Sequence, residues 1–406
     1  MHALPPRLPV QQIWDHIIAF LAHSRDDLLA CSATCRAFVL ASQPHLFHDI
    51  VFLPPALAGD FHDWRTARGY DEAAACHRLC EILVESPHLI RYIRRIKVHL
   101  DAQLLTRLAA IPLSNVRQVY LRNAAFSMAE DTLPHLARQL VGLPSVQQVR
   151  IWTTPRTPAL LTTILGDGSA RLRSSRMFCV AFLGDIAAVQ PVAQRSPITE
   201  LRLDSSAQLS DWFAQPGCPL DLNRLTDVYI HESMSTNLRK ILYAVGNTIQ
   251  RLRLAALDTE DLDLNSFHAL TELVIYIGDP EDDLPDVETA LAHLDDHNNI
   301  HTITLEIAPF FPIDAPVDTF QALDAAIAAR TMSSLRHFVA RFVGPGEDRP
   351  SDEVGILRSL FPRIYAKGIL VVAVLDDAGE MADQDSDEDG GAGDFEMWED
   401  ADLDTA

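Results

Sequence analysis

The sequence predicts an α/β chain in which a small helical unit precedes a long array of strand–helix repeats. Three observations lead to this prediction. Apolar residues recur at helical spacing near the N-terminus, a second apolar spacing recurs eleven times further on, and the last 31 residues hold fourteen acidic and no basic residues. We therefore predict a three-helix unit over 1–52, a connector with a capping helix over 53–92, a curved solenoid with a parallel sheet over 93–375, and a disordered acidic tail over 376–406.

The first element is the stretch from 8 to 47, where apolar residues repeat every three or four positions. Ser24 followed by Asp27 predicts the capped start of a second helix, and Pro44 is expected to interrupt a third. A unit this short is marginal by itself, so we expect its apolar surface to pack against a partner, the rest of the chain, or both.

The repeated pattern after residue 92 is an apolar residue, two spacers, an apolar residue, one spacer and a third apolar residue. Its period-two part predicts one short strand per unit, and helical stretches such as 317–329 separate the units. The eleven units begin at Ile93, Val116, Val146, Met177, Ile198, Leu225, Ile249, Leu270, Ile300, Leu335 and Ile369. This pattern resembles the LxxLxL core of a leucine-rich repeat, which implies a divergent solenoid of strand–helix turns.

The N-terminal helical stretch resembles an F-box, particularly the F-box of basidiomycete proteins. The matching pieces are Leu8-Pro9, Ile13-Trp14, Ile17-Ile18, Phe20-Leu21, Asp26-Asp27-Leu28-Leu29, Cys31 and Cys35-Arg36-Ala37-Phe38. Gln11-Gln12 departs from the usual single Glu, and Phe38 stands where Trp is commoner. The resemblance implies docking onto the Skp-type subunit of an SCF ubiquitin ligase. The residues implied are Leu8, Pro9, Ile13, Trp14, Ile17, Leu21, Leu28, Leu29 and Phe38. The alternative is a generic three-helix cap.

The two resemblances together imply a substrate-recognition adaptor, whose F-box docks a Skp-type subunit of a cullin-RING ligase and whose repeats bind a client protein. The alternative function is an interaction scaffold built on the same repeats, without a ligase role. In the adaptor reading, the other ligase subunits perform the transfer chemistry, and the adaptor contributes proximity and orientation.

No catalytic signature occurs, so we predict that the chain is not an enzyme and has no catalytic residue, cofactor or metal site. There is no GxSxG or HExxH motif, and no GKS or GKT follows Gly166-Asp-Gly168. Asp383 to Asp389 alternate as in a calcium loop, but Glu388 occupies the position that requires glycine. The six cysteines lack zinc-ligand spacing and are expected to be buried thiols.

The net charge of −23 opposes general nucleic-acid binding, which requires a positive surface. The fourteen acids of the tail account for much of it, so residues 1–375 carry −9. No signal peptide and no apolar run of about 18 residues is found. We expect no membrane partner and a location in the cytoplasm or nucleus. Ser386, in Asp-Ser-Asp-Glu-Asp, resembles an acidophilic kinase site, and an unmodified solvating tail is the alternative.

The residues between the repeat anchors should point away from the core onto an open sheet face. In the first three repeats these positions form a basic surface with two aromatics, which we predict binds a client through an acidic segment. The predicted residues are Arg95, Lys97, Tyr120, Arg122, Arg150 and Trp152. A solvated sheet face with cross-strand charge pairs is the alternative. The middle repeats are expected to present Tyr229 and Arg253 in the same way.

Overall fold

The computed structural model is α/β, with helices at the N-terminus followed by a long parallel sheet, as the sequence predicts. It describes residues 10–22, 24–52, 72–123, 132–153, 158–166, 172–178, 191–204, 209–230, 234–256, 262–295, 298–308, 317–329, 334–343 and 352–372.

Twelve strands form one sheet, in the order β1-β2-β3-β4-β5-β7-β9-β10-β11-β12-β13-β14. These strands are β1 Asp49–Phe52, β2 Arg95–His99, β3 Gln118–Asn123, β4 Gln148–Thr153, β5 Ser174–Phe178, β7 Glu200–Asp204, β9 Asp227–Ile230, β10 Arg251–Ala255, β11 Glu272–Ile277, β12 Thr302–Ile307, β13 His337–Phe342 and β14 Leu370–Val372. Two short strands, β6 Ser196–Pro197 and β8 Leu220–Asp221, pair separately.

Helices occupy most of the connections between neighbouring strands of the sheet, since parallel strands need a crossover connection. They are α1 Val10–Ala19, α2 Arg25–Ser32, α3 Arg36–Leu46, α4 Glu72–Glu85, α5 Ala102–Ala109, α6 Leu133–Val141, α7 Pro158–Leu165, α8 Leu209–Phe213, α9 Thr236–Val245, α10 Pro280–Ala292, α11 Val317–Ala329, α12 Glu353–Leu360 and α13 Pro362–Ala366. Short 3-10 turns lie at Pro87–Tyr92, Leu222–Arg224 and Leu264–Ser266. The Ser24 cap is confirmed, because its side chain accepts from the Asp27 amide. Pro44 does not end α3, which continues to Leu46.

Nine of the eleven predicted repeat units place their second and third anchors in a strand. These anchors are buried and register with one another across the sheet. Ile96, for example, pairs with Val119, which pairs with Val149. The residues between them alternate to the other face, so the predicted orientation of the β2 and β3 side chains is confirmed.

Two predicted units have the wrong register. Ser175 of β5 pairs with Val149, and Met177 pairs with Ile151, so Met177 is the third anchor of its unit rather than the first. Serine at the middle anchor hid this unit from a search for apolar residues. Leu370 of β14 pairs with Phe338, so the last strand pairs two residues earlier than predicted.

The first strand of the sheet, β1, was not predicted from the sequence. Phe47, Ile50 and Phe52 have the same spacing as the later repeat units. Ile50 pairs with Ile96 of β2, and Phe52 is 1% exposed. This strand follows α3 after two residues, so the N-terminal helices continue directly into the sheet.

The chain divides into two compact units, which are described separately. In unit 1, which contains β1–β6 and β8, the His48 carbonyl accepts from the Arg94 and Arg95 amides and starts the β1–β2 pairing. Trp212 is fully buried, and its Nε1 donates to Thr162 Oγ1 at 3.2 Å. Thr162 Oγ1 in turn donates to the Gly217 carbonyl at 3.3 Å.

Unit 2, which contains β9–β14, has an aromatic cluster and a buried carboxylate near its C-terminal end. The rings of Phe320 and Phe338 lie 5.7 Å and 5.2 Å from that of Phe361. Asp324, 1% exposed, accepts from the backbone amides of Arg363 and Ile364 at 2.9 Å and 2.8 Å. This carboxylate therefore holds the start of α13 against α11.

Candidate functional site

The three N-terminal helices form their own small core. Ile18, Leu28 and Ala41 are buried together, and four half-buried side chains pack around them, namely Leu21, Cys31, Phe38 and Leu46. The Trp14 ring meets the Phe38 ring edge-on at 4.8 Å. This contact packs α1 against α3.

The same helices leave large apolar side chains in solvent. Ile13 and Ile17 on α1 are 45% and 43% exposed, and Phe20, in the turn after α1, is 85% exposed. Ile13 and Ile17 are four residues apart and so share one side of α1, and Phe20 follows them in the turn after the helix. We call Ile13, Ile17 and Phe20 the apolar stripe. Leu29 on α2 and Leu40 on α3 are also about half exposed, at 47% and 50%.

The structure sorts the predicted Skp-docking residues into two groups. Leu28 is buried, while Leu21, Phe38 and Trp14 are half-buried within the helical core and hold the helices together. Ile13, Ile17 and Leu29 are exposed and accessible to a partner. Leu8 and Pro9 lie outside the described residues. Phe20 was absent from the predicted docking set, although its spacing from Ile13 and Ile17 was visible in the sequence.

The predicted client residues lie on the face of unit 1 opposite the anchors. Lys97, Tyr120 and Arg150 pair in one cross-strand row, and all three are half-buried. Two residues further along the strands, Arg122 pairs with Trp152. The Trp152 side chain lies outside the described part of the chain. We call Lys97, Tyr120, Arg122 and Arg150 the basic face.

His99 pairs with Arg122 at the edge of the basic face but adds no charge to it. Burial lowers the pKa of the His99 imidazole, and the positive charge of Arg122 acts in the same direction. The negative charge of Asp101 opposes this shift without overcoming it. His99 is therefore neutral at pH 7, and the positive charge comes from the lysine and the two arginines.

Arg95, another of the predicted client residues, forms an ion pair within unit 1. Its Nε donates to Asp49 Oδ1 at 2.6 Å, and His48 Nδ1 lies 2.7 Å from the same oxygen. Burial alone would raise the pKa of Asp49, but His48 and Arg95 outweigh it, so the pKa lies below its ordinary value of 3.8. This ion pair joins β1 to β2 and reduces the charge that Arg95 offers to a client.

Replacing Asp49 by Asn should destabilise unit 1 modestly at neutral pH, by up to about 1 kcal/mol, because the pair is partly exposed. A carboxyl with a lowered folded-state pKa stabilises the fold above pH 3.8, and this contribution is lost as the pH falls through the lower folded value. The difference from the parent should therefore vanish in acid. Urea unfolding of both proteins at pH 7 and at about pH 2.5 tests this; an unchanged difference in acid contradicts it.

The corresponding face of unit 2 carries its own charge pairs. Arg251 lies 3.2 Å from Asp227 and 3.0 Å from Glu272, and the fully buried Glu306 contacts both Arg253 and Arg341. Arg253 also lies over the ring of Tyr229, 4.4 Å from its centroid. The expectation that Tyr229 is open to solvent is wrong, because it is 8% exposed beneath Arg253.

Burial shifts the pKa of several other titrating groups among the described residues. It raises the pKa of Cys218 to about 12 and raises that of Cys80 as well, so both thiols stay protonated. Burial, followed by the charge of Glu306, raises the pKa of Tyr276. No group of three or more potential metal ligands occurs in the part of the chain that the structure describes.

Among the described helices, none combines the length and the apolar character needed to cross a bilayer. Ser386 lies beyond residue 372, where the described residues end.

No protein-family model matches the chain, and no curated protein sequence matches it. Its function is therefore inferred from its own residues.

Proposed function

We propose that the chain is a substrate-recognition adaptor of an SCF-type ubiquitin ligase. In this proposal the N-terminal helices are an F-box that docks a Skp-type subunit, and the divergent leucine-rich-repeat-like strands bind a client protein. The apolar stripe is the observation that carries the proposal, because it combines the F-box-like sequence with three solvent-exposed apolar side chains.

Covering the exposed side chains of the apolar stripe would stabilise a complex with a partner. Burying apolar surface stabilises a complex by roughly 25 cal/mol per Å², and one isoleucine contributes about 1.5 to 3 kcal/mol when fully buried. Ile18, the next residue after Ile17, is fully buried, so α1 already has a core-facing side. The stripe on its other side is available for a partner helix or groove.

A binding experiment with purified proteins tests the proposal. The intact chain should bind a recombinant fungal Skp-type subunit, and the double variant Ile13→Asp with Ile17→Asp should bind at least about a hundredfold more weakly, because it would bury two charges at an apolar contact. The measurement is isothermal titration, with circular dichroism to confirm that both proteins are folded.

Val84→Asp is the matched control, since Val84 is 67% exposed on α4 of the same unit. It should bind like the parent. Absence of binding by the intact chain would contradict the adaptor role and favour the scaffold alternative, in which the strands bind partners without a ligase subunit. Equal losses in the control and the double variant would also contradict docking at the stripe.

A further inference from the structure

The last strand of unit 2, β14, is less completely covered than the strands before it. In β10–β13 the core-facing anchors are fully buried, and Phe338 and Ala340 of β13 are both 0% exposed. Leu370 and Val372 of β14 pair with those two residues, yet both are only partly buried. Val371, on the other face, is 40% exposed. The described repeats therefore end with an apolar strand that they do not enclose.

No other described strand pairs with the outer edge of β14, which stands last in the order of the sheet. An edge strand presents backbone N–H and C=O groups to other chains, and natural proteins protect it with charges, proline or a covering segment. Residues 369–375, Ile-Leu-Val-Val-Ala-Val-Leu, contain neither a charge nor a proline. A short apolar segment of this composition is prone to pair with strands of other chains. We therefore expect a covering segment at this edge.

The C-terminal end of unit 2 is rich in basic residues. Residues 354–375 contain three lysines or arginines and no aspartate or glutamate. Arg358 on α12 and Arg363 on α13 are both exposed, and α12 packs against β13 and β14. A negatively charged covering segment would be attracted to this end. A second copy of the same end would instead bring like charges together, so the charge opposes pairing of β14 with β14 of another chain.

The segment with suitable chemistry follows this end in the same unit of the chain. Residues 376–406 contain fourteen acidic residues and no lysine or arginine. Within them, residues 394–398, Asp-Phe-Glu-Met-Trp, hold three large apolar side chains in five positions. Phe395 and Met397 are two positions apart, so a strand would place both on the side of the core anchors.

We propose that residues 394–398 add to the outer edge of β14 as a further strand and cover the end of unit 2. Residues 373–393 form the connection, and a flexible chain of this length spans about 25 Å on average. Neighbouring strands are only about 4.8 Å apart, so the connection is long enough. A tethered segment reaches an effective concentration of about a millimolar, so a short strand is sufficient. The contact withholds the apolar edge from strands of other chains.

Amide hydrogen exchange in the full-length protein tests the contact. A strand that is paired on both edges exchanges slowly, whereas the amides of a free edge exchange quickly. The double variant Phe395→Asp with Met397→Asp should speed exchange in the peptide that contains Leu370–Val372 at least about tenfold, because it puts charges in place of the apolar contacts. Thr302–Ile307 of β12 is paired on both edges and should exchange at the parental rate. Mass spectrometry of proteolytic peptides measures both rates.

Met381→Asp with Leu403→Asp is the matched control, because it adds the same two charges to the tail outside residues 394–398. It should leave the exchange of β14 unchanged. The parent should give the same exchange at about 1 µM and about 50 µM, since a contact within one molecule does not depend on concentration. Equal exchange in the parent and the double variant, or equal acceleration by the control, would overturn the proposal. Protection that rises with concentration, together with dimers in sedimentation, would also overturn it and assign the edge to a second copy.

Discussion

Replacing Glu306 by Ala should lower the free energy of unfolding of unit 2 by about 3 to 5 kcal/mol. The carboxylate is fully buried and contacts the guanidinium groups of both Arg253 and Arg341. Its removal leaves two cations close together with no anion between them, in a place where water cannot replace the lost charge. We expect a large decrease in the urea midpoint of unfolding, followed by circular dichroism.

Glu272→Ala is the matched control. Glu272 also contacts an arginine on the same sheet face, but its side chain is 34% exposed and Arg251 keeps Asp227 as a second partner. The control should cost no more than about 1 kcal/mol. A triple variant with Glu306→Leu, Arg253→Met and Arg341→Met should recover most of the loss, because replacing a whole buried ionic group by apolar residues is often neutral. Equal effects at Glu272 and Glu306 would contradict this account.

Trp212→Ala should destabilise unit 1 by about 3 to 5 kcal/mol. The side chain is fully buried beside Phe213, whose ring lies 5.3 Å away, so truncation removes a large apolar volume and leaves a cavity. Urea unfolding measures the loss. Trp212→Phe keeps most of the ring volume and should cost only about 1 to 2 kcal/mol.

The hydrogen bond from Trp212 to Thr162 can be separated from packing by a double-mutant cycle. Thr162→Val removes the acceptor and leaves the buried indole N–H without that partner, which costs about 1 to 3 kcal/mol. Combined with Trp212→Phe, the total loss should be smaller than the sum of the single losses, because the second change removes the group left unsatisfied by the first. Strict additivity would show that the hydrogen bond contributes nothing.

The sequence predicted most of the strands because apolar anchors on the core side repeat at one spacing. It failed where chemistry departs from that pattern, as at Ser175, which takes an anchor position without being apolar. It also missed β1, whose anchors continue the pattern toward the N-terminus but overlap the end of the helical stretch. Local periodicity alone does not show where a helix ends and a strand begins, since both use the same apolar residues.

The sequence predicted which residues belong to the candidate sites, but it did not predict which of their side chains are exposed to solvent. The sequence grouped Leu28 with Ile13 and Ile17, yet Leu28 is buried and the isoleucines are about half exposed. Which side of a short amphipathic helix is covered depends on the neighbouring helices, and this tertiary contact is not encoded by spacing. Likewise, Arg95 and Asp49 are 46 positions apart in the sequence. The residues around Arg95 therefore could not indicate that Asp49 is its partner.

The short connection between α3 and β1 limits how the N-terminal helices can rotate relative to the strands that carry the basic face. Only Phe47 and His48 separate the last helical residue, Leu46, from the first strand residue, Asp49. The backbone amides of Arg94 and Arg95 donate to the His48 carbonyl, and Arg95 also pairs with Asp49. These contacts remove the rotational freedom that a longer linker would have. A protein bound to the apolar stripe would consequently have a fixed orientation relative to the basic face.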